Sequence, residues 1–216
     1  MRVRLVLWLG LVSLLITASI YTRATEGKPD PNTLYEYSSA AATAVNYALI
    51  LAAVLGIASF RGDLLALRRP RWSLPRVAGV LLAVLVSVYV AEGVYAWAVG
   101  LGNEQGLTPS HWQPAHASAY VANGIVICTV IPFVEELTFR GLGYTLLAPF
   151  GSWFAIVAVG VLFGPAHGLL LSFPILALFG CVLAWVRART DSVFPGMFLH
   201  ALFNLIAIIA AVTIGG

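Results

Sequence analysis

The chain has 216 residues, of which 60% are hydrophobic and only 10% are charged, and its mean hydropathy is +0.92. Soluble domains carry about 25% charged residues, so this composition excludes an ordinary soluble protein and indicates an integral membrane protein. The net charge of +3 does not indicate nucleic-acid binding, because most of the basic excess falls in one short loop. The two cysteines fit no metal or redox spacing, and we expect free thiols.

Seven apolar segments are candidates for membrane-spanning helices, which need about 20 residues each. The sequence therefore predicts an all-α fold, a polytopic transmembrane helical bundle of about seven spans. Residues 1–117 would supply about three N-terminal helices and residues 118–216 a transmembrane core. The first segment is expected to be an uncleaved helix, since it lacks a clean A-x-A cleavage site. The segments are 4–21, 38–60, 77–101, 118–148, 152–172, 174–188 and 194–214.

The placement of basic residues predicts the orientation in the membrane. The loop 61–76 carries five arginines against a single aspartate, so it should be cytoplasmic. The N-terminus then also lies inside, and the loops near 22–37 and 102–117, which have few basic residues, lie outside. We expect a multi-pass protein of a prokaryotic plasma membrane. Six tryptophans near span ends are predicted to be interfacial anchors: Trp8, Trp72, Trp97, Trp112, Trp153 and Trp185.

Three charged side chains lie in an otherwise apolar span, within the stretch EELTFRG at 135–141. Ionised groups at bilayer depth are costly and persist where they pair or have a function. Glu136 and Arg140 are four residues apart in the order that favours an ion pair, so we expect a structural pair. Glu135 has no such partner nearby in sequence. An unpaired carboxylate at low dielectric can accept a proton near neutral pH, as a general base must.

Two further stretches place polar residues in apolar helices, FGPAH at 163–167 and HALFN at 200–204. Each puts two residues four apart on one helix face. A turn near Gly151 would separate two antiparallel helices, and a second hairpin would return the chain for the last span. With straight helices rising 1.5 Å per residue, three segments reach one layer roughly 20–24 Å from Gly151. The side chains predicted to meet there are Glu135, His167, His200 and Asn204.

Three kinds of chemistry could use these groups. In the first, Glu135 is a general base, His167 positions a water, and His200 and Asn204 donate to an oxyanion. In the second, Glu135, His167 and His200 bind Zn²⁺ with an open fourth position. In the third, no bond is cleaved and the groups form a proton or ion path in a transporter.

The C-terminal half contains three motifs in order: E-E-x-x-x-R, F-x-x-x-H and H-x-x-x-N. They are matched by Glu135, Glu136, Arg140, Phe163, His167, His200 and Asn204. In this ordered set, over about residues 118–214, the chain resembles the CPBP family of intramembrane proteases. That family includes the CAAX prenyl endopeptidases and bacteriocin-processing and immunity-associated membrane proteins.

The resemblance implies an endopeptidase within the bilayer that cleaves near the C-terminus of a lipidated or membrane-inserted protein or peptide. It implies that Glu135 activates the water with help from His167, and that the last motif forms the oxyanion hole. Glu136, Arg140 and Phe163 would support these groups. The expected mechanism is glutamate-dependent and requires no cofactor, with zinc as the mechanistic alternative. The family also includes members assigned to protein binding or immunity rather than to a known cleavage.

Overall fold

A computed structural model of the chain describes residues 1–102, 104–105, 108–109 and 111–213, and its regular structure is helical. Within those residues, six helices are long and apolar enough to cross a membrane, and a seventh apolar helix is shorter. The predicted all-α transmembrane bundle of about seven spans is confirmed. The helices are α1 (Arg2–Glu26), α2 (Tyr37–Ala58), α3 (Leu74–Val99), α4 (Pro114–Phe150), α5 (Ser152–His167), α6 (Phe173–Thr190) and α7 (Phe194–Thr213).

The helix ends differ from the predicted segments, most of all in α5. This helix was expected to reach residue 172 but ends at His167. Pro165 opens a short 3-10 turn, and Gly168 then adopts a left-handed conformation with φ 67°. Proline removes a helical donor and a left-handed glycine terminates the turn, so the helix stops there. The predicted end of the last span at 214, and parts of the 102–117 loop, lie outside the described residues.

Two stretches of α4 are π-helical, Val126–Val130 and Leu137–Gly143, so the assumption of straight α-helices is wrong for this span. The first stretch lies just before Pro132. The amide of Ile131 bonds to the carbonyl of Val126, five residues earlier. In this register the next donor would be Pro132, which has no N–H, and the carbonyl of Ile127 is left without a helical partner.

Glycines bring α5 and α6 into close contact. A Cβ built on Gly160 would overlap Cys181, and one on Gly180 would lie 2.8 Å from the Cα of Gly160. A Cβ on Gly164 would lie 2.8 Å from the ring of Phe173. Lipid supplies no hydrophobic driving force between helices, so backbones that approach this closely gain the van der Waals contact that holds such a pair together.

The first helix is packed into the core through Trp8, which is fully buried. Its indole N–H donates to the carbonyl oxygen of Thr138 at 2.9 Å. Gly143 leaves space for the ring, since a Cβ there would overlap it. The prediction that Trp8 is an interfacial anchor is therefore wrong, whereas Trp97 and Trp153 are 86% and 66% exposed.

The polar loops contact one another in two groups, at opposite ends of the bundle. At one end Arg71 forms an ion pair with Asp191 at 2.9 Å, and its amide donates to the carbonyl of Thr190 at 2.8 Å. Arg4 reaches Ser59 after the end of α2, at 3.2 Å. We call this end the arginine face, because it gathers Arg2, Arg4, Arg61, Arg68, Arg69, Arg71, Arg76, Arg187 and Arg189.

The other end, which we call the opposite face, is formed by loop 27–36, the described residues of loop 100–113, and loop 168–172. Glu104 accepts hydrogen bonds from the amides of Leu171 and Ser172 at 2.9 and 2.7 Å, and from the Ser172 hydroxyl at 2.6 Å. Burial acts to raise the pKa of Glu104, but these hydrogen bonds outweigh it and lower the pKa below its ordinary value. The side-chain amide of Gln113 donates to Oδ1 of Asn32 at 2.7 Å, so the loops near 22–37 and 102–117, which were predicted to share a side of the membrane, contact each other.

We expect Trp8→Ala to lower the free energy of unfolding by about 3–5 kcal/mol, the usual cost of removing a buried tryptophan. Trp97→Ala, at an exposed position, is the matched control and should stay within about 0.5 kcal/mol. Thermal unfolding in detergent checks both. Equal melting of the two variants would show that α1 contributes nothing to the stability of the core.

Candidate active site

A cavity of about 290 Å³ brings together side chains from five helices, α2, α4, α5, α6 and α7. The structure places all four predicted catalytic side chains on its wall, although they come from three separate segments. Phe163 lies at the same wall, beneath His167, with ring centroids 4.7 Å apart. The polar lining comprises Tyr47, Gln105, Thr108, Glu135, His167, His200 and Asn204.

Glu135 is held by a residue that the sequence reasoning missed. The hydroxyl of Tyr47, in α2, donates to Oε1 of Glu135 at 2.7 Å. Among the described residues, Oε2 of Glu135 has no hydrogen-bond partner, and it lies 3.8 Å from Nε2 of His200. The side chain is 12% exposed, at the cavity wall. One carboxylate oxygen is therefore anchored, and the other is buried at the cavity wall without a hydrogen-bond partner.

The expected pair between Glu136 and Arg140 is formed, and both side chains are 0% exposed. Nη1 of Arg140 donates to Oε1 of Glu136 at 2.8 Å, and Nη2 donates to the carbonyl of Gly180 in α6 at 3.0 Å. The guanidinium also lies over the ring of Phe163, 4.2 Å from its centroid. α7 can pass beside the pair because its residue there is Gly196: a Cβ would lie 2.7 Å from Oε2 of Glu136.

The hydrogen-bond partner of His167 determines the tautomer of its neutral ring. Nδ1 lies 3.0 Å from the carbonyl oxygen of Phe163. A carbonyl oxygen can only accept, so Nδ1 carries the proton and Nε2 of the neutral ring keeps its lone pair. His167 can therefore accept a hydrogen bond from a water or offer Nε2 to a metal.

His200 lies between the two glutamates of the first motif. Nδ1 is 3.3 Å from Oε1 of Glu136, while Nε2 is 3.8 Å from Oε2 of Glu135, too long for a hydrogen bond. The edges of two rings, Phe163 and Phe179, fix the plane of the imidazole, with centroids 5.8 and 5.4 Å away. Since the carboxylate of Glu136 accepts from Nδ1, His200 can donate from Nε2 only when both nitrogens are protonated.

Asn204 supplies the donor that Pro132 removes from α4. Its amide nitrogen donates to the orphaned carbonyl of Ile127 at 2.9 Å. A side-chain amide carries two N–H groups. One satisfies the backbone of α4, and the second remains for a ligand in the cavity that Asn204 lines.

The geometry also bears on metal binding. Among the described residues, no three His, Cys, Asp or Glu side chains form a group that could hold a metal ion. Glu135, His167 and His200 share the cavity without reaching the arrangement that Zn²⁺ requires. The arrangement as it stands offers a carboxylate oxygen, an imidazole lone pair and an amide donor facing one space.

We expect Arg140→Ala to destabilise the protein by about 3–5 kcal/mol, because it leaves the Glu136 carboxylate buried without its cation. Arg61→Ala is the control: Arg61 pairs with Asp63, both are more than half exposed, and loss of such a surface pair should leave the melting temperature nearly unchanged. Thermal unfolding in detergent measures both. An Arg140→Ala variant that melts like the unmodified protein but loses its function would contradict a structural role.

Comparison with known proteins agrees with this site. Residues 117–206 match the model of a protein family described as Rce1-like, type II CAAX prenyl endopeptidase. The match covers somewhat less than half of the chain and contains the three motifs. No curated protein and no solved structure gave a match. The resemblance read from the motifs is confirmed, and residues 117–206 form a domain of the Rce1-like CAAX prenyl endopeptidase family.

Proposed function

We propose that this chain is an intramembrane endopeptidase that hydrolyses a peptide bond near the C-terminus of a membrane-associated or lipidated protein. The Rce1-like family suggests CAAX-type intramembrane protease activity. The finer proposal is that Glu135 activates the water and that no metal is needed. Its main support is the cavity that Glu135, His167 and Asn204 line together, with Oε2 of Glu135 left without a hydrogen-bond partner among the described residues.

The first step is attack by water. Oε2 of Glu135 takes a proton from a water whose other hydrogen bond goes to Nε2 of His167. The water oxygen forms a bond to the carbonyl carbon of the substrate, and the π electrons move to the carbonyl oxygen. Tyr47 keeps Oε1 of Glu135 in place while Oε2 acts. A base positioned in this way contributes typically about 10²–10⁴-fold to a rate.

The second step is collapse of the tetrahedral intermediate. The free N–H of Asn204 donates to the oxyanion, and His200 can add a second donor when its ring is doubly protonated. Glu135 then returns the proton to the amine nitrogen, the C–N bond breaks and the carbonyl re-forms. Preorganised donors at low dielectric usually contribute more to the rate of such reactions than any other single effect. Asn204 is the more important donor because it acts without a change in protonation.

The walls of the cavity suit an apolar substrate. Above the polar layer they consist of aliphatic and aromatic side chains from α4, α6 and α7. Such a lining accepts apolar residues or a lipid chain next to the scissile bond. The apolar members are Ile127, Ile131, Leu176, Phe179, Phe203, Ala207, Ile208 and Ala211.

We expect Glu135→Gln to abolish cleavage of a lipidated peptide, because the amide cannot take the proton, while the protein still inserts and melts like the unmodified chain. Cleavage by the unmodified protein should survive chelators, and metal analysis of purified protein should find no stoichiometric zinc. About one zinc per chain, lost in Glu135→Gln, would support the metal alternative. Normal turnover by Glu135→Gln would remove the base from the mechanism.

We expect Asn204→Ala to lower kcat by about 10²–10³-fold with little change in KM, the usual effect of losing an oxyanion donor. The variant also loses the partner of the Ile127 carbonyl, at a cost of about 1–3 kcal/mol in stability. Cleavage is therefore assayed well below the melting temperature of the variant. A higher KM with unchanged kcat would argue against the oxyanion role.

The transporter alternative has its own test. If neither the unmodified protein nor any variant cleaves a membrane peptide, substrate-linked proton or ion flux is measured in liposomes that contain the purified protein. Flux that is lost in Glu135→Gln would favour a transporter over a protease.

A further inference from the structure

Among the described residues, those that line the cavity at Glu135 extend from that glutamate toward one end of the bundle. The lining residues extend along α7 from His200 to Ala211, which is a distance of eleven residues, or roughly 16 Å at 1.5 Å per residue. At the end near Ala211, the lining also includes Gln105 and Thr108 from the 100–113 loop. Both belong to the opposite face, so the mouth lies there.

Toward the arginine face, the floor of the cavity is closed. Phe163, Glu136 and Arg140 are at most 1% exposed, and Phe139 and Leu183 beneath them are at most 2% exposed. Among the described residues, none that lines the cavity belongs to the loops 59–73 or 190–194. A substrate therefore cannot reach Glu135 from the arginine face without unpacking the core.

A second opening leads from the opposite face to the polar side chains of the site. A polar cleft of about 580 Å³ is lined by His167 and by the end of α1 with the loop that follows it. Its rim carries four charged residues, Arg23, Glu26, Lys28 and Asp30. His167 lines both the apolar cavity and this cleft, so water can reach the layer from the opposite face, separately from the path along α7.

Basic residues divide unequally between the two ends. Of the twelve Lys and Arg residues, nine belong to the arginine face and one, Arg140, is buried inside. The opposite face has Arg23 and Lys28. Basic residues in short loops are retained on the cytoplasmic side, and the bias of the loops sets the orientation of the whole protein. The mouth of the cavity is then extracytoplasmic.

We propose that the active site takes its substrate from the extracytoplasmic side of the membrane. The substrate class is a polypeptide that is already translocated or anchored, with an apolar or lipid-bearing segment and its scissile bond outside, not the tail of a cytoplasmic protein. The apolar wall receives that segment, and the polar cleft at His167 supplies water. The choice of substrate class rests on the proposed protease function, whereas the side on which the cavity opens does not.

The orientation can be tested in the full chain, expressed in intact bacterial cells with Cys128→Ala and Cys181→Ala. One variant carries Gln105→Cys at the cavity mouth. The other carries Leu67→Cys, 40% exposed on the arginine face. A sulfonated, membrane-impermeant maleimide should label Gln105→Cys in intact cells and Leu67→Cys only after permeabilisation. The reverse pattern would overturn the proposal.

The side of catalysis can be tested with a fluorogenic peptide that carries a lipid chain and a charged group that prevents crossing. Right-side-out membrane vesicles should hydrolyse it, and inverted vesicles should do so only after detergent is added. Glu135→Gln should be inactive in both. Hydrolysis confined to intact inverted vesicles would overturn the proposal. If nothing is hydrolysed even in detergent, the protease function fails, and the maleimide pattern alone still supports or overturns the extracytoplasmic mouth.

Discussion

In the centre of the bundle, the guanidinium of Arg140 donates to Glu136 and to the carbonyl of Gly180, with no exposure of either side chain. Two buried charges at low dielectric need each other, since a lone one would cost several kcal/mol. The same Glu136 oxygen faces Nδ1 of His200, so the ion pair also sets the position of that imidazole. The pair links α4 to α6 and α7, and the walls of the cavity depend on it.

The site also depends on irregular backbone in α4. Within a membrane, non-helical geometry is tolerated only where it is buried in protein or lines a cavity. The second π-helical stretch of α4 is buried throughout, and the first places Ile127 on the cavity wall. The two stretches lie on either side of the two glutamates. Pro132 removes a donor and Asn204 replaces it from α7. This hydrogen bond brings the amide of Asn204 to the cavity wall, so one contact satisfies the backbone of α4 and also places a donor in the site.

The N-terminal helices complete the site from outside the matched region. Tyr47 of α2 holds Glu135, and Trp8 of α1 buries its ring against the second π stretch of α4. Residues 117–206 carry the motifs, but the position of the Glu135 carboxylate in this chain also depends on a hydroxyl 88 residues earlier. A comparison limited to the motifs would miss that dependence.

The sequence by itself determined the features that depend on local spacing and hydropathy. About seven apolar segments predicted the helical bundle, and the four-residue interval predicted the pair between Glu136 and Arg140. The equal lengths on either side of Gly151 predicted that Glu135 and His167 would approach each other. Each of these needs only the period and rise of a helix, which hold for any sequence in a bilayer.

Only the tertiary structure decided the contacts between residues far apart in the chain. The donation of Tyr47 to Glu135 spans 88 residues and that of Asn204 to Ile127 spans 77, and no periodicity connects either pair. Trp8 was expected at the interface because its position near a helix end looks the same in sequence whether the ring points to lipid or to protein. Which side chain meets which depends on how the helices rotate and pack, and the π-helical stretches change that rotation in a way that local sequence does not reveal.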